Sequence, residues 1–196
     1  DGNITLPLLR AASKIHPDLV VLHIDAHTDT YGGDGNQEYL RFNVATTFTR
    51  AAEESLIDVG SSLHIGARGP TNDSTVFNHT REVGYGLING SELFKTGLNN
   101  TAKRVVKTLK GRSVYLCFDM DFFDPSCAPG VCTPTWGGAT SREGLEFLQN
   151  LAGLNLVGAD INTVSPPHDI SGMTAFLAAT VGLEILTLFC HSKNLI

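Results

Sequence analysis

The residues best equipped for chemistry lie in two short acidic runs. Asp25-Ala26-His27-Thr28-Asp29 follows an apolar stretch that ends at Ile24, and Asp119-Met120-Asp121 follows one that ends at Phe118, with Asp124 shortly after. In extended chain, alternate residues share a side, so Asp25, His27 and Asp29 converge on one edge and Asp119 with Asp121 repeats the device. Carboxylates and an imidazole gathered in so small a space repel one another unless cations sit between them. Mixed oxygen and nitrogen ligation suits manganese and, less specifically, iron, nickel or zinc. Two such ions about 3.5 Å apart share a water and bring its pKa near neutrality, which is chemistry directed at a planar, electrophilic carbon. A single aspartate after a strand more often caps a helix or a turn. Repetition after a second, separate apolar run is what points to a metal centre. The isolated His16, His64, His79 and His191 read as ordinary surface or core residues.

The elements that must position these runs follow from hydrophobic periodicity. Helical spacing covers residues 6–15, stopping before Pro17, then residues 45–57, 98–110, 141–151 (with Ser141 as its cap) and 172–189. Strand-like runs cover 19–24, 62–66, 84–89, 113–118 and 155–159, while the polar stretch 69–82 and the Pro/Gly-rich stretch up to Gly138 read as loops. The alternation predicts an α/β fold with a mostly parallel sheet, in a single domain over residues 1–196. Open sheets of this kind bind ligands beyond the carboxyl ends of their strands. Asp25, Asp119 and Asp160 all fall there.

The chain has 196 residues, 42% of them hydrophobic and 17% charged, with a net charge of −6. No Lys/Arg stripe marks a nucleic-acid surface, and the acidic balance suits cationic ligands. No apolar stretch reads as long enough to span a membrane and no signal peptide is visible, so the expected location is the cytoplasm. The spacing of Cys117, Cys127, Cys132 and Cys190 matches neither a zinc knuckle nor a redox pair; Cys117 reads as core, and a local Cys127–Cys132 bridge is the minor alternative. The start at Asp1-Gly2-Asn3, without a methionine, reads as the interior of a longer chain whose N-terminal part is missing.

The two acidic runs, together with Phe122-Phe123-Asp124-Pro125, Ala128-Pro129-Gly130, Thr133-Pro134, Gly137-Gly138 and Val164-Ser165-Pro166-Pro167-His168-Asp169, resemble the ureohydrolases (arginase and agmatinase), most closely the agmatinase-like branch. The resemblance implies a three-layer α/β/α arginase-like fold and a homotrimer or homohexamer, with a hetero-oligomer as a further option. It also implies hydrolysis of a linear guanidino or amidine C–N bond by a metal-bridging hydroxide, releasing urea or a related product. Its cofactors would be two divalent metal ions, manganese first and nickel second. Carried over by position, Asp25, Asp29 and Asp119 bind one metal, His27 and Asp121 complete the other, and Asp25 and Asp119 bridge both. Gly2, Val44 and Thr163 stand where the resemblance expects His, His and Glu. A hydroxyl cannot neutralise a guanidinium, so agmatine and arginine are not the expected substrates. Asn43, Asn162 and Thr163 are the candidate substrate contacts, and Asp29 with His168 the candidate proton carriers. The alternative is an impaired subunit that supports an active paralogue; a weaker one is a metal-binding module without hydrolytic activity.

Overall fold

Short, branched apolar segments alternating with capped helices build a fully parallel sheet. In the computed structural model the described residues are 2–32, 41–71 and 73–195; Asp1 lies outside them. Strands β1 (Leu19–Ile24), β2 (Leu63–Ile65), β3 (Gly86–Ile88), β4 (Ser113–Asp119) and β5 (Asn155–Asn162) form the sheet in the order β3-β2-β1-β4-β5. All four pairings are parallel. The helices are α1 (Thr5–Ala12), α2 (Thr47–Glu53), α3 (Val76–Val83), α4 (Gly90–Thr96), α5 (Leu98–Thr108), α6 (Ser141–Gln149) and α7 (Met173–Ser192).

The period of two along each strand divides the core into two layers. Leu19 and Val21 of β1, with Tyr115 and Cys117 of β4, pack against Leu6 and Leu9 of α1 and Phe48 and Ala51 of α2. Val20, Leu22 and Ile24, with Leu116 and Phe118, face Val105 of α5, Phe147 of α6 and Ile185 of α7. Helices therefore cover both faces, as β1 and β4, buried along their whole length, require.

Strand order places the site. From β1 the chain winds outward through β2 and β3, then returns to lay β4 on the other side of β1. The gap between the carboxyl ends of β1 and β4 is a topological switch point. Register pairs Ile24 with Phe118, so Asp25 and Asp119 emerge side by side, both on the face of α1 and α2.

Several elements differ from the sequence expectation. Residues 69–82 are not all loop: α3 buries Val76 and Thr80, and a left-handed Gly84 ends it. The polar Thr80 sits where an apolar residue would have betrayed the helix, bonding Thr30 through its hydroxyl. The seven-residue α4 also escaped, although Asn89 caps it by accepting from Glu92 N. Thr140, not Ser141, caps α6, in a reciprocal box with Glu143. Residues 44–46 form a 3-10 turn ahead of α2. Strand β5 runs on to Asn162, so Asp160 lies inside it and accepts from Tyr115 Oη at 2.7 Å instead of joining an acidic edge. Asp124 likewise anchors a loop, accepting from Ser126 N, Gly137 N and Gly138 N. All four cysteines are free. Finally, α7, at 20 residues, is by length and composition apolar enough to cross a membrane, contrary to the sequence reading. Its inner stripe, Val181, Ile185 and Leu188, packs in the core, while Phe176, Leu183 and Leu186 stay exposed.

Two glycines separate packing from propensity. A Cβ on Gly144 of α6 would meet the buried Phe123 ring at 2.2 Å, whereas one on Gly182 of α7 would meet Ile161 Cδ1 at 3.5 Å, ordinary contact. Gly144→Ala is expected to destabilise the full-length protein by about 1–3 kcal/mol through overpacking. Gly182→Ala should instead stabilise it by about 0.5–1 kcal/mol through helix propensity. Chemical denaturation of both variants checks the opposite signs.

Candidate metal centre

The sheet delivers its acidic residues to one buried knot. Asp25 is 1% exposed, and its two carboxylate oxygens face opposite ways. Oδ2 lies 2.8 Å from His23 Nε2. Oδ1 accepts from His27 N at 2.5 Å and lies 3.2 Å from His27 Nδ1. His27 Nδ1 is also 3.0 Å from Asp121 Oδ2. Asp121 Oδ1 accepts from Ala26 N at 3.1 Å, tying the β4 turn to the β1 turn. Asp119 Oδ1 accepts from Asp121 N at 2.9 Å, and its Oδ2 accepts a very short hydrogen bond from Thr163 Oγ1. Asp29 completes the knot from a left-handed backbone position at φ 50°. Against the Asp25 backbone, Gly66 takes φ 108° where any Cβ would stand 2.7 Å from the Asp25 carbonyl oxygen, a close approach that only glycine permits.

These groups form two donor sets. Ligand atoms of His23, Asp25 and Asp29 lie within 4.8 Å of one another, and so do those of Asp25, His27 and Asp121. The sets share Asp25. Hard carboxylate oxygens with one imidazole each fit manganese or another first-row divalent ion, so the residues present suit the pair of ions expected from the sequence.

Without cations, the same crowding shifts the protons. Burial and the adjacent Asp25 charge push the Asp29 carboxyl up to about 8. Burial, then Asp25 and Asp121, raises Asp119 well above the usual carboxylate range; burial and Asp25 raise Asp121 too. Asp25 is the exception. Burial opposes its charge, but His23 and His27 outweigh burial and hold it low. His27, which burial alone would make more acidic, is raised to about 11 by its bonds to Asp121 and Asp25.

The knot opens into a cavity of about 830 Å³ lined by His27, Asp29, Tyr31, Asn43, Val44 and Thr135, among others. Of the sequence candidates, Asp25, His27, Asp29, Asp119 and Asp121 are brought together, and Asn43 reaches the cavity wall. Asn162 does not line it. Its amide is buried beneath the site and donates to Asp160 Oδ1, Thr5 Oγ1 and Cys117 Sγ. Thr163, at φ 72°, spends its hydroxyl on Asp119. His168 is exposed on the turn Pro166–His168, its Nδ1 2.7 Å from Ser165 Oγ, and is not among the lining residues. Gly2 is buried against the site: a Cβ there would stand 3.7 Å from Asp29 Oδ2 and from Val44 Cβ.

Sequence reading missed four supports: His23, His64, Thr133 and Arg68. His23 and His64 sit in strands β1 and β2, and a polar residue two before Asp25 on the same strand face was the available signal for His23. Thr133 Oγ1 donates to Asp121 Oδ2 at 3.0 Å. Arg68 donates through Nη2 to the carbonyls of Asp121 and Thr135 at 2.8 Å each, clamping the Pro/Gly loop over the knot.

A family model described as Arginase family matches residues 1–187. An agmatinase of Neisseria meningitidis serogroup C is 38% identical over 194 residues, 99% of this chain and 59% of that protein. A guanidinobutyrase of Pseudomonas aeruginosa is 37% identical over 188 residues, 95% of this chain and 57% of that protein. The solved structure of proclavaminate amidino hydrolase from Streptomyces clavuligerus superimposes with a TM-score of 0.89 at 35% identity, over 98% of this chain and 63% of that one. The chain thus spans about six tenths of the length of these curated relatives.

Two measurements probe the knot. Metal uptake needs free carboxylates and a neutral imidazole, yet Asp29 holds its proton up to about 8 and His27 up to about 11. Adding Mn²⁺ to the metal-free protein at pH 7 should release protons to an indicator dye, and affinity should climb from pH 6 to pH 8; proton-neutral, pH-independent binding would contradict this. Thr163→Val keeps the branched side chain, and so the backbone strain, but removes the donor to Asp119. Metal affinity should fall by about tenfold, measured by competition with a chelating dye, while Thr163→Ser should bind as the parent does.

Proposed function

Because the chain belongs to the arginase family, we propose that the full-length protein uses two divalent metal ions to hydrolyse a C–N bond of a linear guanidino or amidine compound, releasing urea or a related product. Manganese is the first candidate and nickel the second. The observation that carries the reading is the pair of donor sets sharing Asp25 at the floor of an open cavity. Bound there, the ions would supply a water acidic enough to attack at neutral pH. Asp25, His27, Asp29, Asp119 and Asp121 would hold them.

The chain's own residues suggest how the rest is arranged. Asp29 faces the cavity and is the group placed to carry a proton towards a departing amine. Asn43 and Tyr31, with Thr133 and Thr135, line the cavity and would orient a small substrate. Thr163 offers no free carboxylate and is already bonded to Asp119, which supports a substrate other than agmatine or arginine: free guanidine, a short guanidino acid or a substituted guanidine. A trimer or hexamer is proposed on the same grounds, with the exposed Phe176, Leu183 and Leu186 face of α7 as a surface that assembly would cover. The second reading, an impaired subunit within a mixed ring, draws on Gly2, Val44 and Thr163 in place of His, His and Glu.

A panel of guanidino compounds assayed with Mn²⁺- and Ni²⁺-loaded full-length protein tests the proposal. Urea or ammonia should appear from a small guanidino compound faster than from agmatine or arginine, and Asp25→Asn should cut turnover by a factor of about 10³ or more, the loss of one shared ligand to both ions. Stoichiometric metal with no product from any compound would sink the hydrolase reading and favour the impaired subunit.

A further inference from the structure

His23 lies on the same face of β1 as Asp25, and its imidazole is 1% exposed. Its Nε2 points at Asp25 Oδ2 from 2.8 Å, on the side opposite His27. The ring is fixed from behind. Nδ1 is 2.8 Å from His64 Nδ1, and the Phe48 ring lies 4.3 Å away between centroids. His64 is itself fully buried, held edge-on by Tyr85 and Phe48. Among the described residues its Nε2 has no partner, so its hydrogen bonding is committed to His23 alone. An imidazole with one nitrogen hydrogen-bonded to a neighbouring ring and the other aimed at a shared carboxylate has the arrangement that metal-binding histidines adopt.

The Gly2 side of Asp29 offers no imidazole in the donor sets of the described residues. Gly2 faces it with room for a side chain, since a Cβ there meets nothing closer than 3.7 Å. The donor set of Asp25 and Asp29 therefore draws its one imidazole from the strand beneath, not from the turn Gly2–Ile4. We propose that His23 Nε2 is a ligand of the first metal ion, together with Asp25 Oδ2 and Asp29, with His64 as the residue that orients it; the inference rests on the two-metal reading above. Asp25 then spans the centre with Oδ2 on the His23 side and Oδ1 on the His27 side, so each ion has one imidazole. On metal binding the hydrogen between His23 Nε2 and Asp25 Oδ2 would leave to solvent, freeing Nε2 as a donor. His23 keeps its Nδ1 hydrogen for His64.

Metal content and X-ray absorption on the manganese-loaded, full-length protein test the assignment. The parent protein should bind two ions and show one imidazole nitrogen per manganese on average, from His23 and His27. His23→Gln, which still donates to Asp25, should retain one ion and show imidazole from His27 only. Adding Gly2→His in that background should restore the second ion, because the new side chain enters the space beside Asp29. A parent protein with half an imidazole per manganese, or a His23→Gln variant that keeps two ions with unchanged affinity, would overturn the ligand role and reduce His23 to a hydrogen-bond donor. A parent that binds no metal at all would remove the two-metal reading and this inference with it. The absorption measurement on the parent protein decides the matter even where the buried substitution impairs folding.

Discussion

Four aspartates drawn from the ends of two adjacent strands lie close together, three of them buried and Asp29 at the cavity floor, and their mutual repulsion governs most of what surrounds them. Two unit charges about 4 Å apart cost about 4 kcal/mol at an effective dielectric of 20, and each aspartate here has more than one such neighbour. The chain answers locally with donors: Ala26 N and Thr133 Oγ1 on Asp121, His27 N on Asp25, Asp121 N and Thr163 Oγ1 on Asp119. Those donors cannot cancel the repulsion. Protons do so in the metal-free chain, which is why three of the four carboxyls sit above the ordinary range. Two divalent ions would do it better, because each neutralises two carboxylates at once and leaves none protonated.

Such a knot is possible only because topology supplies its geometry without long side chains. Parallel register between β1 and β4 sets Asp25 next to Asp119, and the turns that follow bring His27, Asp29 and Asp121 back over the strand ends. Arg68 then ties the turn after β4 to the Pro/Gly-rich loop through main-chain carbonyls rather than carboxylates. A cation so close by is kept off the metal ligands while its charge still offsets theirs. The arginase-like α/β framework therefore contributes position, and the local sequence contributes charge.

Where the sequence was readable, one physical signal dominated. Strands buried on both faces gave unbroken apolar runs, so β1 and β4 and the acidic runs beyond them could be placed directly. Helices α3 and α4 escaped because they are short and their buried positions include Thr80 and Gly90. Long-range hydrogen bonds escaped for a different reason. Asp160 and Asn162 looked like further edge residues until Tyr115 and Thr5, from other elements, were found bonded to them. His23 was hidden by the run that made β1 easy to recognise: one imidazole among five apolar residues reads as a tolerated polar group. Its contact with Asp25 emerges only in three dimensions.

Floor and rim of this cavity obey different constraints. Truncating His27 leaves Asp25 and Asp121 buried without their partner, a change that costs about 3–5 kcal/mol for a buried pair. Rim positions carry no such coupling. Val44 is partly exposed, and Gly2 adds no charge to the site. Thr163 lies between these cases, since its hydroxyl serves Asp119 while its backbone holds a strained left-handed conformation. A carboxylate at position 163 would set a fifth negative charge beside Asp119, whereas the Thr163 hydroxyl donates to it. The hydroxyl at position 163 thus serves the charge balance of the floor, which a carboxylate in its place would worsen.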